Sequence, residues 1–300
     1  MFALQAGRRG CRVDQMADFT DRYWESRDGL KLHYRDYPGR EDRPPVLCLP
    51  GLTRNARDFE ALAARLCGEW RVVCPDMRGR GDSAYAKDSA TYNPMQYVDD
   101  VSLLFEAAGL DQVVIIGTSL GGLMTLAMAM AMPQRIAAAV LNDIGPVIEP
   151  AGLERIRDYV GQGRSFSTWM HAARAVQEIQ GSAFPDYQIA DWLVAAKRTM
   201  TLGGNGRIVF DYDMKIAEPL AKMDINAQVD LWPGIDGLAD KPVLTIRGAL
   251  SDLLSAETLN KMQQRLPESE AVTINNVGHA PSLGEPEAIA AIDRLLARVG

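Results

Sequence analysis

Two residues in this chain stand in surroundings that suit them to chemistry. Ser119 lies within Gly117-Thr118-Ser119-Leu120-Gly121, a G-x-S-x-G pattern. A serine hydroxyl is a weak nucleophile and needs a base within hydrogen-bond reach. Of the three histidines, His33 falls in an N-terminal hairpin pattern and His171 in a helical pattern. His279, in Asn275-Asn276-Val277-Gly278-His279-Ala280-Pro281, follows the last strand pattern and is the candidate base. A third group should orient the imidazole and stabilise the imidazolium. Asp252, in Arg247-Gly248-Ala249-Leu250-Ser251-Asp252, follows a strand and precedes His279, completing the order Ser, Asp, His. It is the favoured acid, although a loop aspartate there could equally cap a helix starting near 256. Asp143, just past another strand pattern, is its rival. Backbone N–H groups of Leu120, directly after the serine, and of Leu52, in Leu49-Pro50-Gly51-Leu52-Thr53, are the candidate oxyanion donors.

The elements around these residues decide how much the motif means. Val113–Ile116 is an unalternating apolar run, which suits a strand buried on both faces, and a helical pattern opens at Leu120. A serine at such a strand-to-helix turn needs small residues two positions either side, where a Cβ would collide with neighbouring backbone. A dinucleotide-binding glycine turn also joins strand to helix, but its fingerprint is G-x-G-x-x-G and Ser119 takes the place of its second glycine. Further strands are predicted at Val46–Leu49, Arg71–Cys74, Ile136–Leu141, Pro242–Arg247 and Glu270–Ile274. Helices are predicted at about 56–67, 95–108, 120–131, 256–265 and 285–298. Tyr23–Arg27 and Leu30–Tyr34, joined by Asp28-Gly29, read as a hairpin. This alternation predicts an α/β fold with a mostly parallel sheet covered by helices on both faces.

The alternation stops between 147 and 234, where helical patterns at 153–160, 168–180 and 188–200 appear without a clear buried strand. The predicted organisation is a tail at 1–18, a core formed by 19–146 and 235–300, and a helical cap at 147–234. In the cap, Trp169, Met170 and Trp192 are candidate substrate-pocket residues, although aromatics at helical spacing more often form a local core. Arg54, Arg78 and Arg80 fall in loops at the edge of the sheet that carries Ser119, as solvated arginines or as partners for an acidic substrate.

Bulk properties narrow the classes. The chain has 300 residues, 47% hydrophobic and 24% charged, with net charge −7. No Lys/Arg block marks a nucleic-acid groove or a membrane surface. No apolar run approaches the roughly 20 residues of a membrane span, and the opening residues lack the apolar stretch of a secretory signal, with Met16 an alternative start. The four cysteines (Cys11, Cys48, Cys67 and Cys74) show no C-x-x-C spacing and fit a reducing cytoplasm; no metal is expected.

Leu49-Pro50-Gly51-Leu52, Asp76-Met77-Arg78-Gly79-Arg80-Gly81-Asp82-Ser83, Gly117–Gly121, Gly248–Asp252 and Gly278-His279 together resemble the α/β-hydrolase family, in its haloperoxidase-like and 3-oxoadipate enol-lactonase-like branch. The resemblance spans about residues 22–299. It implies a catalytic triad of Ser119, Asp252 and His279, an oxyanion hole from Leu52 and Leu120, and no cofactor. It departs at Pro50-Gly51, where the family usually has His-Gly, which implies an altered loop geometry with the donor retained. Within that family a serine at position 119 argues against the dehalogenases and epoxide hydrolases, which use an aspartate nucleophile. The expected activity is hydrolysis of a small-molecule carboxylic ester or lactone. A C–C bond hydrolase of ring-cleavage-type diketone acids, a cofactor-free perhydrolase and a non-enzymatic ligand receptor are the other readings, and a homodimer is left open.

Overall fold

The apolar runs marked as buried strands lie side by side in the middle of one sheet. In the computed structural model, which describes residues 18–224 and 229–300, eleven strands are assigned. They are β1 (Thr20–Glu25), β2 (Lys31–Tyr37), β3 (Val46–Leu49), β4 (Val72–Asp76), β5 (Val113–Thr118), β6 (Ile136–Asn142), β7 (Ser165–Phe166), β8 (Met200–Leu202), β9 (Ile208–Phe210), β10 (Val243–Gly248) and β11 (Glu270–Ile274). The α-helices are α1 (Glu60–Leu66), α2 (Pro94–Ala107), α3 (Leu120–Ala131), α4 (Pro150–Tyr159), α5 (Trp169–Gln180), α6 (Ile189–Thr199), α7 (Ala217–Lys222), α8 (Trp232–Asp236), α9 (Ala256–Arg265) and α10 (Pro286–Leu296). The predicted N-terminal tail, apart from Asp18, lies outside the described residues.

Eight strands form the main sheet in the order β1-β2-β4-β3-β5-β6-β10-β11. The β1–β2 and β2–β4 pairs are antiparallel and the rest are parallel. The period-2 alternation of a strand splits each central run between two cores. Leu47, Leu49, Val113, Ile115 and Leu141 face one layer with Tyr97 and Leu104 of α2 and Met124 and Met128 of α3. Val46, Cys48, Val114, Ile116 and Val140 face the other with Leu62 and Leu66 of α1 and Ile292 of α10. Both faces are buried, so the runs show no polar alternation.

Residues between β6 and β10 depart from the purely helical prediction. They include a three-stranded antiparallel sheet, β7-β9-β8, whose strands are only two or three residues long. Strands that short cannot display a period, so the sequence gives no signal for them. Helix α8 packs on α3 of the core, and a Cβ at Gly234 would come within 2.6 Å of the Leu126 carbonyl oxygen. No helix among the described residues is long and apolar enough to cross a membrane.

Candidate active site

Parallel pairing brings the carboxyl ends of β3, β5, β6, β10 and β11 to one edge, and the reactive groups lie just beyond them. Ser119 joins β5 to α3 at φ 54°, ψ −115°, a strained region for a residue with a side chain. Its N–H donates to the Asn142 carbonyl at 3.1 Å, and its own carbonyl accepts the Gly122 and Leu123 N–H groups. The flanking glycines are sterically required. A Cβ on Gly121 would overlap the Leu49 carbonyl oxygen, and one on Gly117 would lie 2.5 Å from the Gly121 carbonyl oxygen.

His279 Nε2 lies 2.8 Å from Ser119 Oγ, and His279 Nδ1 lies 2.8 Å from Asp143 Oδ2. The acid beside the imidazole is therefore Asp143, and the choice of Asp252 is corrected. Asp252 Oδ2 and Oδ1 accept Arg155 Nε and Nη2 at 2.5 and 2.9 Å, a bidentate pair that commits both oxygens to α4. Burial would raise the Asp252 pKa, but the Arg155 hydrogen bonds and charge outweigh it and hold the carboxyl below its usual range. Asp143 is fully buried one residue past β6, at φ 57°, a left-handed conformation that aspartate tolerates better than most residues. Its Oδ1 accepts the Gly248 N–H at 2.7 Å, and its Oδ2 accepts the Ser251 hydroxyl at 2.7 Å. Asp143 thus meets His279 Nδ1 while it accepts two further hydrogen bonds from the loop after β10.

Two supporting residues carry no motif. Ser251 sits inside the stretch quoted for Asp252 but works through its neighbour's rival. Buried Asn142 donates through Nδ2 to Thr118 Oγ1 (3.0 Å) and to the Pro281 carbonyl (2.9 Å). It ties the turn at Ser119 to the loop that carries His279 across more than a hundred residues of sequence, which no local pattern can signal.

The Leu120 N–H opens α3, where no preceding helical carbonyl can accept it. The loop after β3 lies against the serine, with an ideal Cβ on Gly51 falling 3.6 Å from Ser119 Cβ. This loop and Ser119 border a cavity of about 420 Å³, to which the core contributes Leu52, Arg54, Ser119 and His279. The insertion contributes Ile156 and Tyr159 near α4, and Phe184, Tyr187, Val194 and Arg198 around α6. Burial pushes the Tyr159 and Tyr187 phenols up, so both face the cavity as neutral hydroxyls.

The three predicted pocket residues are elsewhere. Trp192 is 1% exposed and packs against Tyr187 (5.1 Å) and Phe184 (6.2 Å), behind the cavity wall. Trp169 packs on the same cluster, and Met170 faces outward at 43% exposure. Helical spacing could not separate cavity wall from cavity lining, because both faces of α5 and α6 carry apolar residues. Of Arg54, Arg78 and Arg80, only Arg54 lines the cavity, beside Asp58 at 3.1 Å. Arg78 is fully buried on Asp28 and Asp100, and Arg80 is fully buried as well, so neither is solvated.

Away from this site, His33, Asp76 and Asp82 have the composition of a metal site. The imidazole there is committed to carboxylates on both sides, Nδ1 to Asp76 (2.7 Å) and Nε2 to Asp21 (2.9 Å).

Residues 46–292 match the model of the alpha/beta hydrolase family. The chain is 34% identical over 267 residues to a 3-hydroxybutyrate-oligomer hydrolase of Cupriavidus necator, covering 87% of this chain and 90% of that protein. It is 26% identical over 285 residues to a 2-(acetamidomethylene)succinate hydrolase of Mesorhizobium japonicum, covering 92% and 96%. Among solved structures, an alpha/beta hydrolase from Novosphingobium aromaticivorans superposes with a TM-score of 0.91 at 62% identity, covering 95% of this chain and all of that one.

Proposed function

Because the chain belongs to the α/β hydrolase family and resembles hydrolases along most of its length, we propose that it is a serine-dependent carboxylic-ester hydrolase working through an acyl-enzyme on Ser119. The observation that carries this reading is the chain of hydrogen bonds Ser119–His279–Asp143, set at a strained turn against a cavity. His279 Nε2 takes the hydroxyl proton as Ser119 Oγ attacks the ester carbonyl, and Asp143 stabilises the resulting imidazolium. The Leu52 and Leu120 N–H groups hold the oxyanion. Collapse of the intermediate breaks the ester C–O bond, and the leaving alcohol receives the proton from His279. Water then attacks the acyl-enzyme, giving its proton to His279, and the acid leaves as the proton returns to Ser119 Oγ. In this mechanism the insertion serves as a cap whose side chains shape the acyl or alcohol pocket.

A cavity of about 420 Å³ suits a small substrate. The similarity to the 3-hydroxybutyrate-oligomer hydrolase of Cupriavidus makes short hydroxy-acid oligoesters the first class to try. The test is a panel of 3-hydroxybutyrate oligomers, aryl esters, lactones and dienoic ketoacids, run on wild type and Ser119→Ala. Wild type should turn over an ester, and Ser119→Ala should lose on the order of 10⁴-fold or more in kcat. A fluorophosphonate probe should label Ser119. Wild type inert across the panel with Ser119 unlabelled would sink the proposal.

A further inference from the structure

Arg80 is 0% exposed, and its guanidinium makes no ion pair with any described carboxylate. Its neighbour in sequence space, Arg78, takes both Asp28 and Asp100. The nearby Asp213 carboxylate is occupied by the Tyr92 hydroxyl at 2.6 Å. A buried cation is normally paired, because removal from water penalises the charged form. Arg80 instead directs Nε and Nη1 at neutral oxygens, and its buried Nη2 has no hydrogen-bond partner among the described residues. Nη1 donates to the Arg78 carbonyl (2.6 Å) and to the Tyr97 hydroxyl (3.0 Å), and Nε donates to the Leu52 carbonyl (2.9 Å). The guanidinium lies 4.8 Å from the centre of the Tyr97 ring and 5.7 Å from that of Tyr92.

The bond to Leu52 has a consequence for the loop. The Arg54 N–H donates to the Gly51 carbonyl at 3.1 Å, closing a β-turn over Gly51–Arg54. The soft motion of such a turn is rotation of its central peptide, the one whose orientation distinguishes types I and II. That peptide is Leu52–Thr53, and Arg80 holds its carbonyl oxygen. Pro50, immediately before the turn, has neither an N–H nor a polar side chain with which to anchor the loop from its other side. The Leu52 N–H belongs to the preceding peptide, Gly51–Leu52, so the bond acts on it by pinning in place the whole turn, which lies against Ser119 at Gly51.

We propose that Arg80 is the positioning residue of the oxyanion loop: through its Nε bond to the Leu52 carbonyl it locks the turn that aims the Leu52 N–H at the developing oxyanion. This rests on the proposed serine-hydrolase reading. Arg80 touches no substrate, so its removal should cost transition-state binding and leave ground-state binding alone.

The test compares wild type, Arg80→Gln and Arg80→Lys on an ester and on its thiono counterpart, in which sulfur replaces the carbonyl oxygen and accepts hydrogen bonds poorly. Arg80→Gln should lose about 10- to 100-fold in kcat on the ester, a fraction of the ~10²–10³ lost when an oxyanion donor is deleted. KM should stay within about threefold, since uniform binding is untouched. The ester-to-thionoester rate ratio should fall with kcat, which a general loss of stability would not produce. Arg80→Lys keeps the charge and one donor, should recover part of the loss, and stands as the test should Gln fail to fold. Folded variants with kcat and the rate ratio within about twofold of wild type, or with equal losses on both substrates, would overturn the proposal. Failure of the underlying reading is seen separately, as Ser119→Ala retaining full activity on the same ester.

Discussion

At the scale of single residues, the decisive pair is Asp143 and Asp252. Both follow a strand of the same edge, and β6 and β10 are hydrogen-bonded neighbours, with Asn142 beside Ile246. Asp143 directly follows β6 and reaches His279. Asp252 comes four residues after Gly248, and its two oxygens are taken by Arg155. Asp143→Asn should lower kcat on the order of 10⁴-fold, as expected when the imidazole loses its orienting carboxylate. Asp252→Asn should stay within about tenfold of wild type, because it removes an ion pair to the insertion and leaves the imidazole's partner in place. Steady-state kinetics on both variants decides the matter, and abolition of activity by Asp252→Asn alone would refute the assignment.

At the scale of elements, the β1–β2 hairpin is fastened to β4 through a buried histidine. The turn falls one residue earlier than predicted, over Arg27-Asp28, with the Gly29 N–H donating to the Ser26 carbonyl and Gly29 at φ 77°, and the strands pair from Thr20–Asp36 to Glu25–Lys31. His33 on β2 sits between Asp21 of β1 and Asp76, the last residue of β4. Burial would lower its pKa, but the hydrogen bonds of Asp76 and Asp21 and the charges of Asp76 and Asp82 outweigh that and raise it. A pKa raised in the folded state gives stability that is full below the unfolded value of about 6.5 and is lost as pH rises through the folded value. Wild-type Tm should therefore decline from pH 6 towards 9 more steeply than that of His33→Gln, in which this proton is absent. Thermal melts across that range check the point, and parallel curves for the two proteins would contradict it.

At the scale of the whole molecule, the insertion is tied to the core at several separate places. Arg155 grips Asp252, Arg57 and Asn55 grip Asp211, and Tyr92 donates to Asp213. Backbone bonds add Gly81 N–H to Asp211, Asp213 N–H to Gly79, and Gly278 N–H to Ala183. The last of these joins the insertion to the residue preceding His279. Such ties couple the two parts, so denaturant unfolding should follow one transition in both. Single-tryptophan variants keeping only Trp24 in the core or only Trp192 in the insertion should give superimposable fluorescence curves. A Trp192 transition at clearly lower denaturant would show that the insertion melts on its own.

The sequence alone determined whatever is encoded by contiguous residues. The strand–turn–helix around Ser119 is legible because strand, glycines and helix follow one another without a break, and the glycines are required by backbone atoms a few residues away. The central strands are legible because burial on both faces leaves only apolar side chains. His279 is legible by its order after the last strand. Only the tertiary structure decided which aspartate meets that histidine, because β6 and β10 end side by side and their order in the chain does not say which loop turns inward. Tertiary structure alone also separated Tyr187 and Arg198, which line the cavity, from Trp192, which supports it from behind. The same holds for Arg80, an arginine that reads as solvated surface in the sequence and lies wholly buried under the loop beside Ser119. Each of these facts depends on distances between segments far apart in the chain, and no local period or spacing carries them.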